Sequence, residues 1–470
     1  MTPKRVAVVD APVVVPEIVQ AATGDRVVAV VVMIAAVPDA KTSRGDTQVS
    51  PLLFYFYPMF TRFRNTLLEY PPQFWLMASG LLISSAGSSM IWPFLMIYVS
   101  EKLGLSLSTV STLITINATT GLLTSFIAGT VADRLGRKPV MVLSLLVNGI
   151  AYIFMSQAHS YLGFAVLMLA MGASNPLYQV GADAMLADMI GPEKRTNAYA
   201  IIRMVNNAGV AIGPAIGGFL ATRSYTYAFI GAAAGMLIYS FLLAFRARET
   251  LMKVAGLEQV PTHEGLGGYG PVFRDRPYII FTLLVGIGLI APSMMWTLLA
   301  VYAKQNYALP EDLYGWLPTT NALMCVFVQL FVTRITRRFR PLPIAAIGML
   351  TYALGVGSVA LMKDFWGFWA SMVLMSFGEL ILIPTVSKYI ADLAPVDMRG
   401  RYMSFYWFAW GIARASAPLI GGYLNDTIAP RAIWVGGLAI GLASALGLII
   451  FSRLRTPRLA RENLENLAVH

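Results

Sequence analysis

Residues 129–138 read Gly-Thr-Val-Ala-Asp-Arg-Leu-Gly-Arg-Lys, and Pro139 follows them. An apolar run from 108 to 131 precedes this charged stretch, and another from 140 to 155 follows it. Each run covers most of the roughly 20 residues that a helix needs to cross a bilayer. The stretch is therefore predicted to be a tight turn between two transmembrane helices, and we call it the 129–138 loop.

Each residue type in the 129–138 loop has a physical use at such a turn. Gly129 lacks a side chain, which predicts close packing of the preceding helix on a neighbour. Gly136 tolerates the backbone angles of a short reversal. Asp133 can interact favourably with the N-terminal end of another helix. The basic residues can pair with acids or lipid phosphates, and they are Arg134, Arg137 and Lys138.

The 129–138 loop resembles the signature loop of the major facilitator superfamily, Gly-x-x-x-Asp-Arg-x-Gly-Arg-Lys, and matches it at every specified position. The resemblance implies an all-α polytopic membrane protein with twelve transmembrane helices in two pseudo-symmetric six-helix bundles. It also implies a cytoplasmic gate in which Asp188 pairs with Arg137, and a purely structural salt bridge is the alternative. The alternative interpretation of the stretch is an ordinary cationic loop on the cytoplasmic side.

The composition of the 470 residues points to the same class, with 57% hydrophobic residues, 13% charged residues and a mean hydropathy of +0.65. Soluble domains average about 25% charged residues, so a polytopic membrane protein is predicted. The net charge of +11 comes from short basic clusters between apolar runs, which suits anionic lipid rather than nucleic acid. Cys325 is the only cysteine, the three histidines have no metal-binding spacing, and no ATP-binding phosphate loop occurs, so no cofactor or metal is expected.

The first 58 residues differ from the remainder. Their longest apolar run, 27–37, is too short to cross a bilayer. We expect residues 1–58 to be a disordered extension, or translation to start later, with Met59 as the candidate start.

Twelve apolar runs follow, each bounded by Gly, Pro or charged residues. They predict spans at 74–99, 108–131, 139–157, 161–187, 198–221, 225–246, 277–303, 313–334, 342–361, 366–391, 401–424 and 431–452. The expected organisation is a first bundle in 59–250, a solvated linker in 251–276, a second bundle in 277–455 and a tail in 456–470.

The two sets of six spans are copies related by one constant shift in residue number. Trp92 aligns with Trp296, and 296 minus 92 equals 204, which we call the repeat offset. The same offset aligns Asn117 with Asn321, and it continues without a gap through Asp188 and Asp392, Pro214 and Pro418, and Gly218 and Gly422. An even number of spans per copy gives both copies one orientation, which is the parallel repeat of the resembled family.

The basic residues predict the orientation. Sixteen Lys and Arg lie in loops on the side of the 129–138 loop, against five on the other side. Because basic loops stay in the cytoplasm, both termini are predicted to be cytoplasmic in the plasma (cell inner) membrane. We expect a monomer in membrane lipid.

The fifth span contains Gly209-Val-Ala-Ile-Gly213-Pro214-Ala-Ile-Gly217-Gly218. Glycines four residues apart favour close helix contact, and a proline permits a bend. The pattern resembles the antiporter signature of the drug-exporting branch, Gly-x-x-x-Gly-Pro-x-x-Gly-Gly, and implies export. Generic helix packing is the alternative. One departure is Met168, which stands where relatives in that branch usually carry an Arg.

Four charged residues lie at least four residues from the ends of the predicted spans: Asp183, Arg203, Glu379 and Arg414. A charge at the bilayer centre costs at least about 2.5 kcal/mol, so each is a functional candidate. None has an ionisable residue at its repeat-related position. Glu379 and Asp183 are the candidates for proton exchange. Arg414 and Arg203 are their respective candidate partners, and static ion pairs are the alternative.

A chamber between the bundles would be lined by polar and aromatic residues, which suit flat, greasy or cationic molecules. Interfacial anchoring or packing is the alternative role for each. The candidates are Trp92, Asn117, Asn175, Tyr178, Gln179, Trp296, Asn321 and Trp407.

These features predict a secondary active transporter rather than an enzyme. The first hypothesis is proton-coupled export of small amphipathic or drug-like compounds by alternating access. The alternative is a proton-coupled symporter that imports a sugar, organic acid or other metabolite, or a lipid-moving relative. Arg203 and Arg414 favour an anionic substrate in that alternative. A membrane-bound enzyme or sensor is disfavoured because the sequence has no clustered catalytic set.

Overall fold

The computed structural model describes residues 69–251, 269–395 and 398–468. The expectations for residues 1–58 and for most of the 251–276 linker lie outside this range. Helices account for the regular structure of the described residues. Large apolar side chains such as Leu162 (72% exposed) and Phe245 (80% exposed) stay accessible, as expected for a protein whose solvent is lipid.

The helical segments of the described chain are labelled α1 to α12. A one-turn helix, Gly270–Arg274, precedes α7, and α8 is bent by 56° at Val328. The bounds are α1 Pro72–Leu103, α2 Leu107–Leu135, α3 Arg137–Gln157, α4 Tyr161–Met189, α5 Pro192–Ala221, α6 Tyr225–Arg246, α7 Arg276–Tyr307, α8 Glu311–Phe327 with Gln329–Thr336, α9 Pro341–Leu361, α10 Phe365–Leu393, α11 Arg399–Thr427 and α12 Ala432–Ala468.

Length and hydropathy identify most of these segments as membrane spans. Ten helices of the described chain are long and apolar enough, or eleven if the bent α8 is one span. Helix α11 is not among them, and it carries Arg399, Arg401 and Arg414. The count of twelve spans therefore stays a prediction, while the polytopic helical fold is confirmed.

The sequence repeat is visible in the helix bounds and in local contacts. Helices α7, α9 and α10 begin and end one repeat offset after α1, α3 and α4 respectively. The rings of Tyr98 and Phe164 are 6.2 Å apart, and those of the repeat-related Tyr302 and Phe368 are also 6.2 Å apart. These two pairs of equivalent residues thus make equivalent contacts in the two bundles.

Glycines of α5 allow that helix to pack closely on α1. A Cβ atom on Gly213 would lie 2.5 Å from the carbonyl oxygen of Ala86, and one on Gly217 would overlap the carbonyl oxygen of Met90. No side chain larger than hydrogen fits at either position without backbone movement. The expectation for Gly129 was wrong, because a Cβ there would meet nothing within 4 Å.

Two hydrogen bonds join the bundles at repeat-related positions. Thr115 Oγ1 on α2 donates to the carbonyl oxygen of Ala415 on α11 at 2.9 Å. Thr319 Oγ1 on α8 donates to the carbonyl oxygen of Ala211 on α5 at 2.6 Å. Since 319 minus 115 and 415 minus 211 both equal 204, the bonds are related by the repeat.

The bundles also meet at the membrane side opposite the 129–138 loop, where α1 ends and α6 begins. Gln305 Nε2 of α7 donates to Ser100 Oγ of α1 at 3.1 Å. Tyr225 of α6 donates its hydroxyl to Glu311 Oε1 of α8 at 2.6 Å, and Lys304 Nζ contacts the other oxygen at 3.1 Å. These polar contacts close the bundles on that side.

Candidate functional site

A cavity of about 990 Å³ lies between the two bundles. Ligand pockets typically measure about 300–1,000 Å³, so this cavity can hold a drug-sized molecule. Its walls combine amides, hydroxyls and aromatic rings, and the charged residues that line it within the described chain are Arg203, Glu379 and Arg414. The described residues include no cluster of three His, Cys, Asp or Glu that could hold a metal.

Repeat-related residues face each other across this cavity. Ser89 and Ser293, Trp92 and Trp296, and Asn117 and Asn321 all line it. Because the members of each pair are related by the repeat offset, the cavity lies where the two copies meet. The predicted candidates Trp92, Trp296, Asn117, Asn175 and Asn321 are among the lining residues.

Glu379 lies at the middle of α10, because 379 minus 365 and 393 minus 379 both equal 14. With a rise of about 1.5 Å per residue, its Cα atom is about 21 Å from each end of the helix. Asn321 Nδ2 donates to Glu379 Oε2 at 3.0 Å and to Ser376 Oγ at 2.8 Å. The amide thus fixes the carboxyl group in the cavity wall. The adjacent Gly378 has no side chain, which leaves room for α9. A Cβ atom there would lie 2.6 Å from the backbone nitrogen of Tyr352.

The predicted charge partners are arranged differently from the expectation. No ion pair within 4 Å joins Glu379 to Arg414, or Asp183 to Arg203, in the described chain. Arg203 instead interacts electrostatically with Glu379 from the opposite bundle. The guanidinium of Arg414 lies over the ring of Trp410, 5.4 Å from its centroid. The expected pairings were wrong because they were assigned from depth along the helices, whereas contact depends on which faces meet.

Asp183 and three of the aromatic or amide candidates do not line the cavity. Asp183 accepts a hydrogen bond from Gln179 Nε2 at 3.2 Å on the same helix. Tyr178 donates its hydroxyl to Tyr239 on α6 at 3.3 Å. The side chain of Trp407 lies beside Trp410, with ring centroids 5.8 Å apart. These four side chains lie outside the cavity lining in this conformation.

Sequence reasoning missed several lining residues. The first bundle contributes Asn148, Asn206 and Asn207, and the second contributes Trp410. Asn206 and Trp410 are related by the repeat offset, as are Ser89 and Ser293. Applying the offset to serine residues would have found Ser89 and Ser293, whereas Asn148, Asn206 and Asn207 have no matching residue in the second copy.

The 129–138 loop is held by carboxylates of its own bundle. Arg137 Nη1 contacts Asp133 Oδ1 at 3.0 Å, and Arg137 Nε contacts Asp188 Oδ2 at 3.2 Å. The resemblance implied the Arg137–Asp188 contact, whereas its role as a gate stays a prediction. Asp133 is 63% exposed in its side chain and contacts Arg137 rather than the end of another helix. Arg134 is exposed.

Glu249, at the end of the first bundle, binds the start of α3. Its carboxylate oxygens accept hydrogen bonds from the backbone N–H groups of Arg137 at 3.2 Å and Lys138 at 3.0 Å. A carboxylate at a helix N-terminus is favourable. Gly136 has φ of 102°, the left-handed region expected from its position in the turn, and a Cβ there would lie 2.6 Å from Glu249 Oε2.

A cavity enclosed by two repeat-related helical bundles and lined at mid-membrane defines the class as a secondary transporter of small molecules. Comparison with known families agrees. Residues 77–310 and 287–468 each match the model of the Major Facilitator Superfamily, and the chain belongs to that family. It is a multi-pass membrane transporter and not an enzyme.

Individual relatives share the architecture at low identity. The chain is 26% identical over 363 residues to a Na(+), Li(+), K(+)/H(+) antiporter of Planococcus maritimus, covering 70% of this chain and 84% of the relative. It is 25% identical over 339 residues to the multidrug resistance protein MdtH of Citrobacter koseri, covering 70% and 82% respectively. Among solved structures, the nucleoside transporter NupG superposes with a TM-score of 0.66 at 11% identity, covering 80% of this chain and 99% of NupG.

Proposed function

We propose that this protein exports small amphipathic compounds in exchange for protons. The observation that carries the proposal is the position of Glu379. Its carboxyl group lines the cavity at the centre of α10, where the repeat-related residue is Asn175. Because the first bundle has no carboxyl group at the equivalent position, the shared fold does not require one at Glu379. This carboxyl group is therefore available for a task that the second bundle performs alone.

Proton binding at Glu379 would change the balance between the two bundles. The ionised carboxylate attracts Arg203 across the cavity and accepts a hydrogen bond from Asn321. Protonation removes the charge and weakens both interactions. Each state of Glu379 thus favours a different separation of α5 and α10, which is what alternating access requires.

The cavity walls suit amphipathic substrates. The rings of Trp92, Trp296 and Trp410 offer flat apolar surfaces, and the amides around them offer hydrogen bonds. The multidrug resistance and antiporter names of the relatives support export and ion exchange. The close packing of α1 against the glycines of α5 accords with the antiporter-like pattern of that helix.

The test uses proteoliposomes with an imposed pH gradient and a panel of fluorescent dyes and metabolites. We expect the gradient to drive dye transport at least tenfold faster than without it. Glu379→Gln should abolish this stimulation, because glutamine cannot exchange a proton. Asp183→Asn is the matched control, since Asp183 lies outside the cavity lining, and should keep most of the stimulation. Equal transport with and without the gradient contradicts proton coupling.

A Na⁺ gradient in place of the pH gradient separates coupling by protons from coupling by other cations. Stimulation by Na⁺ alone would reassign the coupling ion and leave export intact.

Import of an organic acid is the second candidate, because two guanidinium groups line the cavity. It predicts that an inward pH gradient accumulates the acid inside vesicles instead of expelling it. Each 100 mV of membrane potential contributes about 2.3 kcal/mol per charge moved, so the direction of charge movement is measurable.

A further inference from the structure

Arg414 occupies a place in the cavity that the shared fold does not explain. It lies near the middle of α11, which begins at Arg399 and ends at Thr427. At about 1.5 Å per residue, its Cα atom is about 20 Å from either end of the helix. The repeat-related residue is Val210, which also lines the cavity. An apolar residue therefore satisfies the fold at this position.

The guanidinium of Arg414 has no carboxylate partner within the described residues. Its contact is the ring of Trp410, one helical turn earlier, at 5.4 Å from the centroid. The carboxyl group that lines the cavity, Glu379, accepts a hydrogen bond from Asn321 and interacts with Arg203. The described lining thus has two guanidinium groups and one carboxyl group. The side chain of Arg414 is exposed and lines the cavity, so its guanidinium is accessible to the carboxylate of a ligand.

We propose that Arg414 and Trp410 form a subsite for the carboxylate of an aromatic substrate. The planar guanidinium can bind a carboxylate through two parallel hydrogen bonds. Trp410 and the neighbouring wall of the cavity offer rings on which the aromatic part of the substrate can stack. This inference rests on the proposed export of amphipathic compounds and narrows their class to aromatic acids.

The subsite also predicts which compounds are excluded. A cationic ring compound would be repelled by Arg414, and a neutral ester would keep the ring stacking but lose the paired hydrogen bonds. No contact within 4 Å joins Glu379 to Arg414 in the described structure, so Arg414 is not held in a salt bridge with that carboxyl group. Charge selectivity should therefore depend on residue 414 and not on the overall hydrophobicity of the compound.

Cys325 provides a direct readout of cavity occupancy. It is the only cysteine of the chain and lines the same cavity. A bound ligand should slow its alkylation by a small maleimide in the purified, full-length protein. The probes are 2-naphthoate, its methyl ester and 2-naphthylmethylammonium, which share one ring system and differ in charge.

For the unmodified protein, we expect the half-protecting concentration of naphthoate to be at least tenfold lower than that of the ester or the amine. Arg414→Gln should remove this preference while the ester protects as before. Arg414→Lys keeps the charge without the planar fork and should retain part of the preference. Arg223→Gln is the matched control, because Arg223 also lies over a ring, that of Phe219 at 5.1 Å, but does not line the cavity.

Equal protection of the unmodified protein by all three probes overturns the carboxylate subsite, and this comparison needs no variant to fold. A preference for naphthoate that survives Arg414→Gln also overturns it. Both outcomes leave amphipathic export standing if the dyes are transported. Absence of protection by any probe, together with absence of dye transport, overturns the proposed function and the subsite with it.

Discussion

The two bundles are built alike but are not chemically alike where they enclose the cavity. Ser89 and Ser293, and Trp92 and Trp296, give both walls the same hydroxyl and the same ring. At two further pairs of positions the copies differ. The first bundle has Asn175 and Val210, where the second has Glu379 and Arg414. The common residues form the chamber, and the differing residues make its charge unequal, with Glu379 and Arg414 in the second bundle against Arg203 in the first.

This comparison separates structural roles from transport roles. Residues that make the same contact in both copies, such as Tyr98 with Phe164 and Tyr302 with Phe368, need only the fold to explain them. A residue with a different chemistry at the equivalent position needs a further reason. Substitutions at equivalent positions of the two bundles test how far this separation holds. The largest effect is expected where an added side chain would overlap a backbone atom of a neighbouring helix.

The largest difference is expected between Gly217→Ala and Gly421→Ala, at equivalent positions of α5 and α11. A methyl group on Gly217 would overlap the backbone oxygen of Met90, which cannot move without shifting α1. On Gly421 it would meet the end of the Leu298 side chain, which can rotate. Overpacking costs about 1–3 kcal/mol where the neighbour cannot yield. Thermal unfolding of the purified proteins should show a much lower Tm for Gly217→Ala, and equal Tm values would contradict the packing argument.

A second variant moves the carboxyl group to the other bundle by combining Asn175→Glu with Glu379→Gln. We expect the double variant to show less than about one tenth of the proton-driven transport of the unmodified protein. This loss corresponds to about 1.4 kcal/mol or more. Asn321 donates to Glu379, whereas its counterpart Asn117 donates to the carbonyl oxygen of Met168 at 3.1 Å. A carboxylate at 175 would thus lack the equivalent donor.

The control for this exchange is Asn175→Gln alone, which isolates the effect of a longer side chain. Full transport by the double variant would show that the two walls are interchangeable, and the proposed role of the asymmetry would then be wrong.

The third variant, Glu311→Gln, weakens the closure opposite the 129–138 loop. It removes the carboxylate that Tyr225 of the first bundle and Lys304 of the second bundle both contact. Since the Lys304 side chain is 32% exposed, we expect a shift of only about 0.5–1 kcal/mol, or about twofold to fivefold. The measurement is alkylation of Cys325 by an impermeant maleimide added from that side, which should become faster. Asp312→Asn is the control, and an unchanged rate for Glu311→Gln would contradict the closure.

The smallest effects are expected at the repeat-related acids Asp188 and Asp392. Asp188 contacts Arg137, whose side chain is 13% exposed, whereas Asp392 pairs with Lys388 one turn away on a surface where both are more than half exposed. Exposed pairs within a helix contribute about 0.3–0.5 kcal/mol. Transport should fall about twofold to threefold for Asp188→Asn and by less than half for Asp392→Asn. A larger loss of transport for Asp392→Asn than for Asp188→Asn would show that Asp392 is the more important of the two acids.

Much of the fold was predictable from the sequence because its signals are local or repeated. Apolar runs and their Gly, Pro and charged boundaries placed the helices, and a single repeat offset revealed the duplication. The repeat also led to Trp92, Trp296, Asn117 and Asn321, all of which line the cavity.

Contacts between helices were not predictable in the same way. Arg203 interacts electrostatically with Glu379 of the other bundle, and Glu249 binds the start of α3 from 112 residues away. No pattern within one helix specifies such contacts, because they depend on how each helix is rotated about its axis. Tyr178 illustrates the problem, since it lies one helical turn after Asn175 yet contacts Tyr239 instead of the cavity.

The pair of threonine hydrogen bonds between the bundles has a mechanical consequence. Thr115 and Thr319 each lie about two turns into their helices, and each bonds to a helix of the other bundle. If the bundles turn about the line that joins these two bonds, neither bond has to break. The end of α2 at Leu135 is about 30 Å beyond Thr115, so a rotation of about 10° displaces it by about 5 Å. The two threonines would act as a fulcrum that converts a small tilt into the opening of a passage.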